Sequence, residues 1–512
     1  MNFKILDCTL RDGGYYTNWD FDKDLVDSYI QSFNNLPIEY LEVGYRSPVQ
    51  KQYHGEYFYL PVYVMKRLKE QSTKKLVIIL NEKDVKADDV ELLLRPCIGL
   101  ITMIRLAIDP EHFERAIGLA KVIKSMGFEI GFNVMYMSKW KQYKGFLDLL
   151  PKIEGIADYF YMVDSYGGVY PEDVKETIAL VRKQINIPLG FHGHNNMELG
   201  LINTLTAIEE GVEMVDVTVT GMGRGAGNLK TELLLTALNA KGLIEIDFNA
   251  LSKIVDGFTV LQKQHEWGTN LPYMVSGANS LPQKDVMDWV GKRYYSFNSI
   301  IRALQNQSQG IIDNENLPIF KPLHTEKEVL LVGGGQSVQE HKIAIKQFLF
   351  ERPDCVIIHA SSKNSLIFND LPNKQYFCLV GNEGHRMEDV FNKVIPTSVL
   401  CILPPYPRKM GTYIPDALKS NSFQLSENSF ANQFLDSHTA IALQSIIELK
   451  SDQIYIVGYD GYQSVYIDEK AKDLLEENQY LFKEFQKKGF NKLISLTPTA
   501  YELNQNSIYQ YL

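Results

Sequence analysis

The chain has 512 residues, of which 45% are hydrophobic and 22% charged. This is ordinary globular usage, and it excludes a disordered chain, a collagen-like fibre and a coiled coil. Lys and Arg total 52 against 62 Asp and Glu, and the net charge of −10 argues against a dedicated nucleic-acid binder. The first 245 residues alternate short segments rich in Ile, Val, Leu, Phe and Tyr with stretches of helical periodicity. In chain order the predicted strands are 3–6, 40–44, 75–80, 102–106, 129–135, 159–163, 189–192 and 214–218. The predicted helices between them include 23–36, 111–125, 171–184 and 198–210. Pro171 opens its helix where a missing N–H costs nothing. Gly127 and Gly211 follow helical runs, where a left-handed cap is expected. Eight strand–helix units over about 250 residues predict a (β/α)8 barrel, with a doubly wound sheet as the alternative. The count of eight and the clustering of polar residues at strand C-termini favour the barrel.

Beyond the barrel (1–245), residues 246–304 read as a helical appendage. Residues 305–327 are polar with two Pro and read as a linker. From 328 to 512 a second, smaller Rossmann-like α/β domain is expected, with strands at 329–332, 355–359, 376–380, 399–403 and 453–457. No apolar run approaches the ~18–20 residues of a membrane helix. The segment MNFKILDCTLRDGG has no secretory-signal pattern. Five scattered Cys form neither a disulfide framework nor a thiolate zinc site. A cytoplasmic protein is the expectation.

Catalytic residues of such a barrel come from strand ends and the loops after them. The first strand runs into Arg11, Asp12, Gly13 and Gly14. The seventh carries His192 and His194, which on a strand face the same way. With Asp12 they form a two-imidazole, one-carboxylate set suited to a labile divalent ion such as Mn²⁺, Mg²⁺ or Co²⁺, with Zn²⁺ also compatible. Non-haem Fe(II) oxygenases use a similar set. An Arg beside the metal instead fits enolate chemistry, with a Lewis acid on one side and a fixed cation on the other. The second strand ends in Glu42, expected to be buried and to hold the Arg11 fork by paired hydrogen bonds. The sixth ends in Asp164 and Ser165, which are candidates for substrate binding. The eighth leads into TGMGRGAGN, whose N–H groups can approach a ligand. Its Asn228 either caps the next helix or offers an oxygen to the metal.

DCTLRDGG, LEVGY, DSYGG, HGHNN and GMGRGAGN, in this order, resemble the DRE-TIM metallolyases, the HMG-CoA lyase-like superfamily. The resemblance covers roughly 1–300 and is closest to the 4-hydroxy-2-oxovalerate aldolase branch. It implies that Asp12, His192 and His194 bind the divalent metal, Mn²⁺ being the first expectation. It implies that Arg11 stabilises a pyruvate enolate, that Glu42 orients Arg11, and that Asn228 completes the metal shell directly or through water. The implied reaction is reversible cleavage of a 4-hydroxy-2-oxo acid to pyruvate and an aldehyde. Where the aldolases carry a His as base, this chain has Tyr15. An unshifted tyrosine is a poor base near neutral pH, so the base must be lowered in pKa or come from elsewhere, and His54, in the loop after the second strand, is the candidate. Tyr16, Tyr273 and Arg105 are further pocket candidates. The loop before Asn228 lacks the Cys of HMG-CoA lyases. Gly14-Tyr15 replaces the Glu-Gln of the Claisen synthases, so an acetyl-CoA-dependent acyltransferase is a secondary reading. A metal-binding scaffold without catalysis is a third. The resemblance also implies a homodimer or a partner enzyme.

In the second domain, Gly333, Gly334, Gly335 and Ser337 follow a strand and open a helix, a phosphate-cradling arrangement or simply a tight turn. Together with VGYDG at 457–461, this part resembles the Rossmann-like domains of the motility-associated-factor and sialyltransferase-like group. The resemblance implies a nucleotide or nucleotide-sugar ligand and a role in surface-polysaccharide synthesis. A docking role competes with it.

Overall fold

Along each of the first eight strands, side chains alternate between two surroundings. One set packs outward against helices. The other points inward, where Leu6, Tyr40, Val77, Met103, Tyr159, Tyr161 and Met214 form a buried apolar cluster. The strands are β1 (Lys4–Asp7), β2 (Tyr40–Tyr45), β3 (Lys75–Asn81), β4 (Met103–Ile108), β5 (Glu129–Val134), β6 (Tyr159–Asp164), β7 (Leu189–Gly193) and β8 (Met214–Val217). Each pairs in parallel with the next, and β8 returns to β1 with Leu6 opposite Asp216. This is the closed barrel expected from the sequence. The computed structural model describes residues 3–291, 296–313, 316–396, 398–408, 412–461, 469–489 and 493–512, without the side chains of 469 and 470. The appendage, linker and second-domain expectations each include positions outside this set.

Two residues further along several strands, the inward position turns polar. Tyr40 is followed by Glu42, Met103 by Arg105, Gly131 by Asn133, Gly190 by His192 and Met214 by Asp216. All five polar side chains are buried. An apolar floor therefore carries a polar layer at the C-terminal ends of the strands. Gly190 makes the floor fit, since a Cβ there would overlap the Tyr161 ring. Helix ends follow local rules: the Asp22 carboxylate accepts from the N–H of Leu25 at 2.9 Å, and Pro171 opens the helix Pro171–Arg182.

The chain divides into two compact units, Met1–Met287 and Asp288–Leu512. The helices Phe248–His265 and Leu271–Ala278 lie in the first. The helix Phe297–Ser308, read from sequence as part of the barrel appendage, groups with the second. The stretch read as a linker also contributes structure there. Phe320 is buried in the core of the second unit, and Ile319 bridges to Gln424. Polar neighbours and two Pro conceal these anchors in the sequence.

The second unit holds an all-parallel sheet of β9 (Glu328–Val332), β10 (Val356–His359), β11 (Gln375–Cys378), β12 (Leu400–Leu403), β13 (Ser422–Gln424), β14 (Gln453–Val457), β15 (Leu493–Ser495) and β16 (Asn504–Gln505). The order is β13-β12-β11-β10-β9-β14-β15-β16. Strand order reverses between β9 and β14, the position where such sheets open a crevice. Five strands are foreseen by sequence. The other three, β13, β15 and β16, are only two or three residues long, too short for a period-2 pattern.

Candidate active site

Asp12 reaches the barrel mouth on one helical turn, Thr9–Asp12, that follows β1 directly. Gly13 and Gly14 are required there by neighbouring side chains. A Cβ on Gly13 would meet the Met222 sulfur, and one on Gly14 would overlap the Trp19 indole. Trp19 in turn donates from Nε1 to the Arg11 carbonyl at 2.9 Å, fixing the turn.

Asp12, His192 and His194 each offer one ligand atom, and these atoms lie within 4.8 Å of one another. Nε2 of His192 is 3.6 Å from Oδ2 of Asp12. Nδ1 of His192 is 2.8 Å from the Asp216 carboxylate, and Nδ1 of His194 is 2.8 Å from the Asp164 carbonyl. Those acceptors hold a proton on each Nδ1 and leave each Nε2 as the ligand atom. Asn228 donates from Nδ2 to Asp12 at 2.5 Å, while its Oδ1 is buried without a partner. An orphaned buried oxygen costs energy unless a cation or donor meets it. Helix capping is therefore not its role, and the helix Thr231–Ala240 has no side-chain cap.

Protonation states suit a cation. Burial and the adjacent His192 push the His194 imidazole down to about 3, keeping it neutral. Burial works to raise the Asp12 pKa, but Arg11, His192, His194 and Asn228 overcome it and hold the carboxylate below its ordinary range. A neutral imidazole and an ionised carboxylate are the ligating forms. The residues present thus fit a divalent ion. A second cluster, Cys8–His192–Asp216, does not. Burial pushes the Cys8 thiol well up, and Asp216 is engaged by Arg105 and His192.

Beneath the ligands runs a buried charge network. Arg11 donates from Nε to Oε2 of Glu42 at 2.7 Å and from Nη1 to Asp12. The expected pair of Glu42 hydrogen bonds to Arg11 is a single bond. The same Oε2 lies 3.4 Å from Nη1 of Arg105, and Oε1 has no partner. Arg105 is wholly buried rather than a pocket residue. It donates to Asp216 at 2.5 Å and to Asn133 at 2.7 Å, and its guanidinium lies 4.1 Å from the centre of the Tyr161 ring.

A cavity of about 340 Å³ opens above Arg11, Asp12, His192 and His194, with Tyr15, Ser165 and Arg224 in its wall. The Tyr15 and Tyr45 hydroxyls are 3.3 Å apart, and the Arg224 guanidinium lies 4.4 Å from the Tyr15 ring centre. Ser165 accepts from the Tyr136 N–H at 2.9 Å. Four other expected residues, Asp164, His54, Tyr273 and Tyr16, stand outside the wall. Asp164 turns its carboxylate back onto the N–H groups of Gly168 and Val169, and burial raises its pKa to about 7. His54 stacks on Phe58 at 4.2 Å, behind the Trp19 indole. Tyr273 is buried against Gly225, and Tyr16 donates to the Gly225 carbonyl at 3.0 Å. The glycine loop spends several N–H groups on itself, from Gly221 to Thr218 and from Asn228 to Gly221.

Sequence reasoning missed Asp216, Asn133, Tyr45 and Arg224. Asp216 and Asn133 each interrupt an apolar strand at an inward position, a signal that was present. Arg224 sat in plain view among glycines.

The profile of the HMGL-like family matches residues 2–257, half of the chain. The chain belongs to the HMGL-like family. That family is divalent-metal-dependent. Similar relatives are named 4-hydroxy-2-oxovalerate aldolase. The one from Pelotomaculum thermopropionicum is 31% identical over 51% of this chain and 76% of its own length, and the one from Thermomicrobium roseum is 29% identical over 47% and 67%. A crystal structure of the N-terminal domain of a Bacteroides vulgatus protein, described as a candidate aldolase, is 60% identical over 59% of this chain and all of its own, with a TM-score of 0.57. Among the described residues, no helix is long and apolar enough to cross a membrane.

The HMGL-like match ends before the second unit. There the glycine turn after β9 is closed by protein. Gly333 donates to the Val457 carbonyl at 2.9 Å and Gly335 to that of Gly458 at 2.8 Å. The Asp460 carboxylate accepts from the Ser337 N–H at 2.9 Å and from its hydroxyl. An internal anion thus takes the Ser337 donors that a phosphate would need. Gly333, Gly334 and Gly335 still line a cavity of about 530 Å³, with Lys363, Arg386 and His438 across it.

Proposed function

We propose that the barrel is a divalent-metal-dependent aldolase acting on a 4-hydroxy-2-oxo acid through a pyruvate enolate. The observation that carries this reading is Arg11 beside the Asp12–His192–His194 set, open to one cavity. A divalent ion there, Mn²⁺ by preference, would supply Lewis-acid stabilisation of the 2-oxo group and of the enolate. Arg11 brings a guanidinium pinned by Glu42 to the same place, so its position costs no reorganisation during reaction. Asp216 and the Asp164 carbonyl orient the two imidazoles. The Tyr15 hydroxyl shares the cavity and contacts that of Tyr45, which places it to relay the 4-hydroxyl proton: it accepts that proton while its own passes to water in the open cavity. His54, stacked behind Trp19, takes no part.

The test is release of pyruvate from 4-hydroxy-2-oxovalerate and longer 4-hydroxy-2-oxo acids, followed with lactate dehydrogenase and NADH. The reading expects release that stops with EDTA and returns with Mn²⁺. Arg11→Lys should cost about 100-fold or more in kcat. Metal-independent release, or full activity in Arg11→Lys, would contradict it.

For the second unit we infer a small polar ligand, a nucleotide or nucleotide sugar, in the crevice where β9 and β14 diverge. Support comes from that topology and from Lys363 and Arg386 in the cavity wall. Calorimetry of the full chain with nucleotide sugars tests it, and absence of heat would favour a docking role.

A further inference from the structure

The charges around the barrel cavity leave one guanidinium unmatched. Three arginines, Arg11, Arg105 and Arg224, meet three carboxylates, Asp12, Glu42 and Asp216. Arg11 pairs with Asp12 and Glu42, and Arg105 pairs with Asp216 and approaches Glu42. Arg224 pairs with none of them. Its contact is the Tyr15 ring, and no carboxylate forms an ion pair with it among the described residues. It is half-buried in the cavity wall. Lys83 and Lys284 stand in the same wall, where Asp12 is the one carboxylate among the described residues.

A cation removed from water without a partner is costly. A divalent ion at Asp12, His192 and His194 adds positive charge rather than removing it. The 2-oxo acid end of a substrate, held by Arg11 and that ion, uses the cations at the floor. Arg224 and the two lysines remain for whatever occupies the rest of the cavity. A planar guanidinium matches the paired oxygens of a carboxylate or a phosphate.

The geometry points to an acceptor aldehyde that carries an anionic group, a carboxylate or a phosphate, with Arg224 as the residue that selects it. This rests on the aldolase reading and narrows its substrate class. In the addition direction the methyl carbon of pyruvate bonds to the aldehyde carbon. The proton lost from the methyl group is balanced by one gained on the aldehyde oxygen. The anionic tail takes no part in the bond change and lies against Arg224.

The experiment loads the full chain with Mn²⁺, supplies pyruvate, and measures kcat/KM for two matched pairs of aldehydes. One pair is succinic semialdehyde and butanal, and the other is glyceraldehyde 3-phosphate and glyceraldehyde. In the wild type, at least one anionic member should exceed its neutral match by about tenfold or more. Which pair responds tells carboxylate from phosphate. Arg224→Gln should reduce that ratio about tenfold, and Arg224→Lys should keep part of it. A ratio cancels any general loss from misfolding, and an equilibrium titration with succinate or inorganic phosphate gives a second readout, weakened in Arg224→Gln. Neutral aldehydes used as well as anionic ones would overturn the inference and leave the aldolase reading standing. An equal loss on both members in Arg224→Gln would assign Arg224 to Tyr15 instead, and also overturns it. No addition to any of the four aldehydes would overturn both.

Discussion

One carboxylate, Asp216, serves two masters: it accepts from Nδ1 of His192 and from the buried guanidinium of Arg105. Burial works to raise its pKa, but Arg105 and His192 hold it below the ordinary carboxylate range. Such a partner fixes the imidazole tautomer and ring orientation, and removing it typically costs 10–100-fold in metal affinity. Asp216→Asn is therefore expected to weaken Mn²⁺ binding by about that factor, read by EPR titration of free Mn²⁺. Unchanged affinity would remove Asp216 from the site. Glu42 stands between two arginines, with 0% exposure. Glu42→Gln leaves both guanidinium groups short of their counter-charge, and a loss of about 3–5 kcal/mol is expected by urea unfolding. A loss below about 1 kcal/mol would mean that Asp12 and Asp216 suffice.

Elements were legible in proportion to their length and pattern. All eight barrel strands have four or more residues and lie close to their predicted places, because each buries an apolar face at a period of two. The grouping of the two imidazoles in the candidate metal set was legible for the same reason: two His at i and i+2 on a strand must share a face. What stayed hidden depends on contacts between distant segments. His54 sits in a loop, and nothing local says that its ring stacks on Phe58. Asp164 looks like a ligand, yet its backbone carbonyl reaches His194 while its carboxylate turns to Gly168. Arg105 looks like a pocket cation, and only its full burial and its bonds to Asn133 and Asp216 on other strands show it inside the polar layer rather than in the cavity wall.

An element in the second sheet carries its own pH signature. His359 ends β10 with Nε2 on the Gln375 side chain at 2.8 Å, Nδ1 without a partner, and its ring stacked on Phe377. Burial lowers its pKa to about 4. The unfolded chain binds the proton near pH 6.5 and the folded chain only near pH 4. The stability at stake is intact above about pH 6.5 and is lost as pH falls toward 4, about 3 kcal/mol in all. Going from pH 7 to pH 5 should cost about 2 kcal/mol through this group. His359→Phe should shrink the measured pH 7 to pH 5 loss by that amount, in urea titrations at the two values. An unchanged loss would mean that the ring is solvated when folded.

At the scale of the whole molecule, two cores fold from one chain, and the metal set belongs to the first. Asp12 and the His192–His194 pair come from β1 and β7, about 180 residues apart in sequence and joined through β8. An ion held by both ends of the barrel stabilises the folded form by about 2.7 kcal/mol at 100 times its Kd. Hydrogen exchange with and without Mn²⁺ should therefore slow around residues 8–14 and 189–196, with β9–β16 as the reference. Protection elsewhere in the barrel but not at these segments would move the ion to another site.

The proposed aldolase depends on metal-assisted enolisation at Asp12, His192 and His194, beside Arg11. It is tested most directly without any aldehyde, by proton exchange at the pyruvate methyl group. The full chain with Mg²⁺ is incubated with pyruvate in D₂O, and loss of the methyl signal is followed by NMR, with Mn²⁺ samples quenched before reading. Exchange should require metal and should disappear in both Asp12→Ala and His192→Ala. No exchange in the metal-loaded wild type, or exchange that survives in either variant, would contradict it.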